Sequence, residues 1–227
     1  MKKSISAKIL IKFFFTGLAY FLASGVAEAY EDGDFQYWNV NEIEWKAAKD
    51  WKLSLEDELR WGGGASQLYY QHYDLSVSYL GIAKWFEIKA GYRQIFNKGK
   101  KSWMYENVGK LDGTLKFDLF GFKLSDRSRL EYRDIEDKKD NWRYRNFFKA
   151  KIPMNIGKLQ FAPYAGDELY FDLSRHFEFN RNRLYSGLEF TLFGGLTLDL
   201  HYILQTSKGK DVWTDYNILG TKLKFSF

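Results

Sequence analysis

From Trp51 onward, apolar and polar side chains alternate. Trp51, Leu53, Leu55, Leu59 and Trp61 share one face, interrupted by Asp57, while Lys52, Ser54, Glu56, Glu58 and Arg60 occupy the other. A period of two marks β-strand, because successive side chains of a pleated backbone point to opposite sides. Tyr69, Tyr73, Leu75, Val77 and Tyr79 repeat the pattern, as do Phe86, Ile88, Ala90, Tyr92 and Phe96. It recurs over 103–119, 124–132, 142–152, 159–171, 184–192, 196–204 and 219–227, with a further segment at 36–45. Nothing after residue 29 favours helix, and no linker rich in Pro, Ser or Gly divides the chain, so the pattern predicts one all-β domain.

Alternation alone fits a soluble sandwich or a soluble barrel equally well, and the spacing of the aromatics separates these from a membrane barrel. Trp51 and Trp61, Tyr69 and Tyr79, and Phe86 and Phe96 are pairs ten positions apart on three successive segments. Ten residues at a rise of ~3.3 Å span about 33 Å, which a tilt of about 40° projects to ~25 Å, the height of the apolar band of an outer-membrane barrel. These six rings are therefore expected at the two lipid interfaces. Turns alternate as well: short ones at 47–50, 81–84, 120–122, 153–157 and 193–195, longer polar ones at 62–66, 97–101, 134–140, 173–182 and 206–211. The short set is assigned to the periplasm. The predicted fold is an antiparallel up-and-down transmembrane β-barrel of 10 to 12 strands with a charged lumen. About eleven segments are counted, which conflicts with the even numbers of bacterial single-chain barrels, so segment 36–45 is not a membrane strand or two strands have been merged. Pro163, inside a segment, suggests a bulge or a strand end.

If the apolar face meets lipid, the charged face must fill the interior. The expected lumen network comprises Glu56, Glu58, Arg60, Arg93, Lys110, Asp112, Arg127, Arg129, Glu131, Arg133, Arg143 and Arg145. The tight turn at Phe120 and Gly121 also predicts a register. Pairing Leu119 with Phe122 sets Asp118 against Lys123, Asp112 against Arg129 and Lys110 against Glu131, three opposite-charge pairs. Beyond this hairpin, arginines and lysines crowd one wall with Glu131 as their only near acid, while acids gather on the earlier strands. Such a transverse field suits small polar or anionic solutes, and a plug of ion pairs is the structural alternative.

Composition sharpens this picture in three ways. A mean hydropathy of -0.45 is too polar for a bundle of membrane helices, and 19% aromatic residues exclude a disordered chain. Lys2, Lys3, Lys8 and Lys12, the apolar stretch from Phe13 to Val26 and Ala27-Glu28-Ala29 read as a cleaved secretory signal over residues 1–29, leaving a barrel at 30–227. Removing the signal lowers the formal charge from +5 to +2, which takes away the basic excess that would suggest nucleic acid. With no cysteine, an exported chain has neither disulfides nor thiol catalysis.

Leu219, Thr221, Leu223, Phe225 and Phe227 end the chain in alternation and on an aromatic carboxyl terminus. This resembles the insertion signal read by the bacterial barrel-insertion machinery, with Phe225 and Phe227 as its aromatics. Lys222 stands where that signal commonly has glycine, and Gly220 lies two positions earlier. Trp38, the run Trp51-x-Leu53-x-Leu55-Glu56-x-Glu58-Leu59-Arg60, Gly91-Tyr92-Arg93, Arg143-Tyr144-Arg145 and Pro163-Tyr164 leading to Glu168-Leu169-Tyr170-Phe171 resemble the exported bacterial proteins grouped as domain of unknown function 2490. The resemblance runs from Trp38 to the C-terminus, and implies an outer-membrane β-barrel with no assigned activity and no catalytic residues to carry over.

The expected partners are outer-membrane lipids and the insertion machinery, without nucleic acid, cofactor or metal. Two other functions stay open: a lipid-modifying outer-membrane enzyme, and a surface receptor or adhesin working through the longer loops. Against the enzyme, no histidine stands two residues before a serine, since Asp74 follows His72, Glu178 follows His176 and Ile203 follows His201. The chain is therefore read as a structural barrel or narrow pore and not as an enzyme.

Overall fold

The computed structural model describes residues 30–99, 102–209 and 212–227, and the expected export signal at 1–29 lies outside them. In chain order the strands are β1 (Asp34–Ala48), β2 (Trp51–Gly62), β3 (Gln67–Ala83), β4 (Phe86–Lys98), β5 (Trp103–Leu119), β6 (Phe122–Ile135) and β7 (Asn141–Lys151). Then follow β8 (Met154–Ile156), β9 (Leu159–Asp172), β10 (Glu178–Thr191), β11 (Leu196–Lys208) and β12 (Trp213–Ser226). Each hydrogen-bonds to its neighbour, and β1 pairs with β12, so eleven strands close a barrel. The three-residue β8 stands outside the wall, folded back on the start of β9.

The expected all-β barrel of 10 to 12 strands is thus present, with one correction to its antiparallel description. Segment 36–45 is a full wall strand and no two strands were merged; the count is odd because β1 and β12 run parallel, from Asp34 opposite Tyr216 to Glu44 opposite Ser226. In an up-and-down chain an odd number of crossings leaves the first and last strands pointing the same way, so only parallel pairing can close the wall. Parallel pairing is slightly weaker per residue, and this seam is tied on both faces. Outside, Thr221 Oγ1 meets Tyr37 Oη at 2.8 Å and accepts from Asn39 Nδ2 at 2.9 Å. Inside, Lys222 pairs with Glu42 at 2.7 Å and Lys224 with Glu44 at 3.1 Å.

The β5–β6 hairpin has the register its charges predict. Leu119 lies opposite Phe122, Asp118 opposite Lys123, Asp112 opposite Arg129 and Lys110 opposite Glu131. Its two-residue turn has positive φ at both centres, 49° at Phe120 and 84° at Gly121, as a turn matched to the strand twist requires. Pro163 sits just past the last β7–β9 pair, Lys151 with Tyr164, a ladder end at which the missing N–H costs little.

Polarity is inverted relative to a soluble globule. Leu75, Leu111, Tyr92 and Leu184 face outward and are half exposed, whereas Glu131, Glu168, His72 and Asp112 are buried. Among the described residues the interior apolar clusters are small, Trp38 with Ile203 and Ile218, and Tyr70 with Ile95 and Val108. Outward aromatics gather near both rims. Trp51 packs on Tyr79 at 4.7 Å near the short turns, and Tyr37 stacks on Trp61 at 5.5 Å near the long loops. Phe96 on Tyr105, Tyr132 on Trp142 and Phe179 on Trp213 continue the long-loop belt, and Trp85 beside Phe86 the other.

Candidate functional site

Alternation aims every second side chain at the barrel axis, and there the strands assemble one ionic network. All twelve charged residues expected in the lumen take part. Arg129 holds Asp112 through two hydrogen bonds of 2.7 Å, Arg60 holds Glu58 at 2.7 Å and Arg133 holds Glu106 at 2.6 Å. Glu131 receives Arg143 at 2.5 Å and Arg145 at 2.9 Å. Arg93 reaches Asp74 at 2.9 Å and Glu56 at 3.7 Å, and Lys110 also pairs with Asp74. Arg127 donates to Glu168 at 2.7 Å.

That last contact corrects the view that Glu131 is the only acid near the basic wall. Glu168 of β9 takes Arg127, Arg145 at 2.6 Å and the Tyr170 hydroxyl at 2.8 Å, and is 1% exposed. Glu168, Arg181, Arg183, Asp74 and Lys222 were absent from the expected network. The available signal was parity: Glu168-x-Tyr170 and Arg181-x-Arg183 keep the two-residue spacing on segments where inward tyrosines break the polar pattern.

The six interface aromatics divide five to one. Trp51, Trp61, Tyr79, Phe86 and Phe96 keep outward parity, whereas Tyr69 is turned inward. The β2–β3 ladder shifts by one residue between Arg60 and Trp61, which moves Tyr69 off the outward set. Its hydroxyl donates to Gln36 Oε1 at 2.7 Å, and its ring meets Tyr30 edge-on at 5.1 Å. Tyr30 sits at the long-loop rim, where burial and then Asp34 push its phenol up to about 12. Phe225 and Phe227 pack together at 5.6 Å at the short-turn end of β12. The glycine that departs from the common insertion signal has a packing role, because a Cβ on Gly220 would strike the His201 ring.

A cavity of about 750 Å³ lies within this interior. On β11 each inward residue in turn, Thr197, Asp199, His201, Ile203, Gln205 and Ser207, lines it. Fifteen lysines and arginines and nine carboxylates line it, and Asp112 and Glu131 lie buried against its arginines; the balance stays positive, so its field favours anions. Glu56, His72 and Asp74 bring potential metal-ligating atoms within 4.8 Å of one another. However, Arg93, Lys110 and Lys222 already occupy these carboxylates, and a dication would meet their charges. His201 Nδ1 lies 3.0 Å from Asp199 Oδ1, which also accepts from the Tyr164 hydroxyl at 2.9 Å.

Fold and interior together define a closed β-barrel with apolar side chains outside and an ion-paired lumen. The chain belongs to the family described as Protein of unknown function (DUF2490), whose match covers residues 35–216. Comparison with curated proteins gave no match.

Proposed function

We propose that this chain is an exported outer-membrane β-barrel whose narrow lumen passes small polar and anionic solutes. The observation that carries the reading is the unbroken lining of the cavity from Thr197 to Ser207 on a single strand. Ten residues at ~3.3 Å, tilted about 40°, project to ~25 Å, roughly the apolar thickness such a barrel crosses. Spread over that length, a volume of about 750 Å³ leaves a mean cross-section on the order of 30 Å². This admits water, ions and small solutes and excludes folded chains. The outward apolar face with an aromatic belt near each rim supports the membrane setting, since rings with a polar edge favour both boundaries. The chain supplies recognition and a path, and no catalytic step is assigned to it.

Fractionation with heat-dependent gel mobility tests the location, and recording from purified protein in planar bilayers tests the path. The expected result is a small, stable conductance whose reversal potential in a salt gradient favours anions. Protein that inserts into the bilayer yet never conducts would reject the pore.

A further inference from the structure

We propose that Arg143, Arg181 and Arg183, set around Tyr170 in the long-loop half of the lumen, form a binding site for small oxyanions carrying two or more negative charges. The site rests on reading the lumen as a solute path, and it names what that path selects. Four guanidinium groups surround the Tyr170 ring, with Arg145 at 4.4 Å, Arg183 at 5.0 Å, Arg181 at 5.3 Å and Arg143 at 5.6 Å from its centroid.

The nearby acids are already committed. Asp112, Glu58 and Glu106 are held by Arg129, Arg60 and Arg133. Glu131 and Glu168 are left to balance five arginines, Arg127, Arg143, Arg145, Arg181 and Arg183, which leaves three positive charges over. Arg181 carries the clearest deficit. Its Nε donates to Ser207 Oγ at 3.0 Å, and among the described residues it has no carboxylate partner. Among the acids at that mouth, Asp172 accepts from the Ser174 backbone N–H at 3.0 Å and lies 3.6 Å from Arg175, Asp34 accepts from the Gly63 and Gly64 backbone N–H groups at 3.1 and 3.0 Å, and Glu178 pairs with Lys208 at 2.7 Å.

A guanidinium withdrawn from bulk water without a counter-charge is unfavourable, and its planar fork matches the paired oxygens of a carboxylate or phosphate. Three surplus charges favour a dianion or trianion over chloride. Tyr170 gives the site an aromatic floor; Arg143 and Arg183 are oriented there by Glu131 at 2.5 Å and Gln205 at 2.7 Å, and Arg181, whose Nε alone is bonded to Ser207, offers its terminal nitrogens to a ligand. The site is close to the long-loop mouth, because Tyr170 stands two residues before the end of β9 and Arg143 and Arg181 stand near the starts of β7 and β10.

The test is calorimetric titration of the purified full barrel in detergent with inorganic pyrophosphate and with succinate, against a background of about 100 mM chloride. Either probe should bind with measurable heat, and Arg181→Gln should weaken it at least tenfold. Pyrophosphate binding tighter points to phosphoryl solutes and succinate binding tighter to dicarboxylates; both support the site. Arg175→Gln, on an exposed side chain at the same mouth, should leave affinity unchanged. Removing an unbalanced charge should not destabilise the ligand-free barrel, so thermal unfolding of Arg181→Gln provides a fold control. No binding by the native protein, or equal loss in Arg175→Gln, overturns the site. Binding without conductance would keep the site and remove the pore, and conductance without binding would do the reverse.

Discussion

Asp112 and Arg129 face each other across the β5–β6 hairpin, and the Asp112 carboxylate accepts two hydrogen bonds of 2.7 Å from the Arg129 guanidinium, with 2% and 5% of their surfaces exposed. Because both are withdrawn from solvent, the effect of losing one differs from the effect of losing both. Asp112→Leu strands a buried guanidinium and should cost about 3 to 5 kcal/mol, whereas Asp112→Leu with Arg129→Met should recover most of it. Urea unfolding of the purified folded barrel measures both. Equal destabilisation by the single and double variants would show that the pair is not an isolated unit.

That contact was also legible in the sequence. A two-residue turn fixes the register of its hairpin, and one face of alternating charge then admits only one favourable pairing. The closing seam was not legible, because β1 and β12 are far apart in the chain and no turn dictates how they meet. The reversal of Tyr69 was hidden for a related reason: a one-residue shift in the ladder leaves local composition unchanged while exchanging inside for outside. In the lumen, the contributions of β2 and of β4 to β7 could be read from alternation, whereas Asp74 of β3 was not among them. The contribution of β9 and β10 could not, because Tyr164, Tyr170 and Tyr185 point inward and disguise the polar face.

The parallel seam predicts a specific cross-link. Asn39 is the register partner of Thr221, and their side chains already share a hydrogen bond on the outer face. Cysteines at these two positions should oxidise to a disulfide in the folded barrel, while cysteines at Asn39 and Leu223 should not. Non-reducing gels and peptide mapping distinguish the two, and the opposite preference would exclude this closure.

Tryptophan fluorescence tests which face meets lipid. Trp51 is 47% exposed on the outer wall, whereas Trp38 is 4% exposed inside, with Arg60 at 3.8 Å over its ring. In bilayers containing brominated lipid, a variant retaining only Trp51 should be strongly quenched and one retaining only Trp38 should keep most of its emission. Similar quenching of both would contradict the inverted arrangement.

His201 lies between two glycines, Gly187 on β10 and Gly220 on β12, each its register partner. A Cβ on Gly187 would stand 2.8 Å from His201 Cβ, and one on Gly220 would run into the imidazole. Gly220→Ala should therefore lose about 1 to 3 kcal/mol of stability by overpacking. Adding His201→Ala should restore part of the loss, as read from unfolding midpoints. A histidine without this steric role would give additive effects instead.

Eleven crossings also determine where the polypeptide is delivered. Gly33 bonds to Asp215 beside the long connections, whereas Phe227 bonds to Glu44 at the opposite rim. Anything fused ahead of Tyr30 therefore emerges at the opposite rim from anything fused behind Phe227. A cylinder with an even number of staves returns both tails to one side; this one works as a one-way thread, and its circumference cannot be completed until the final stave has met the first.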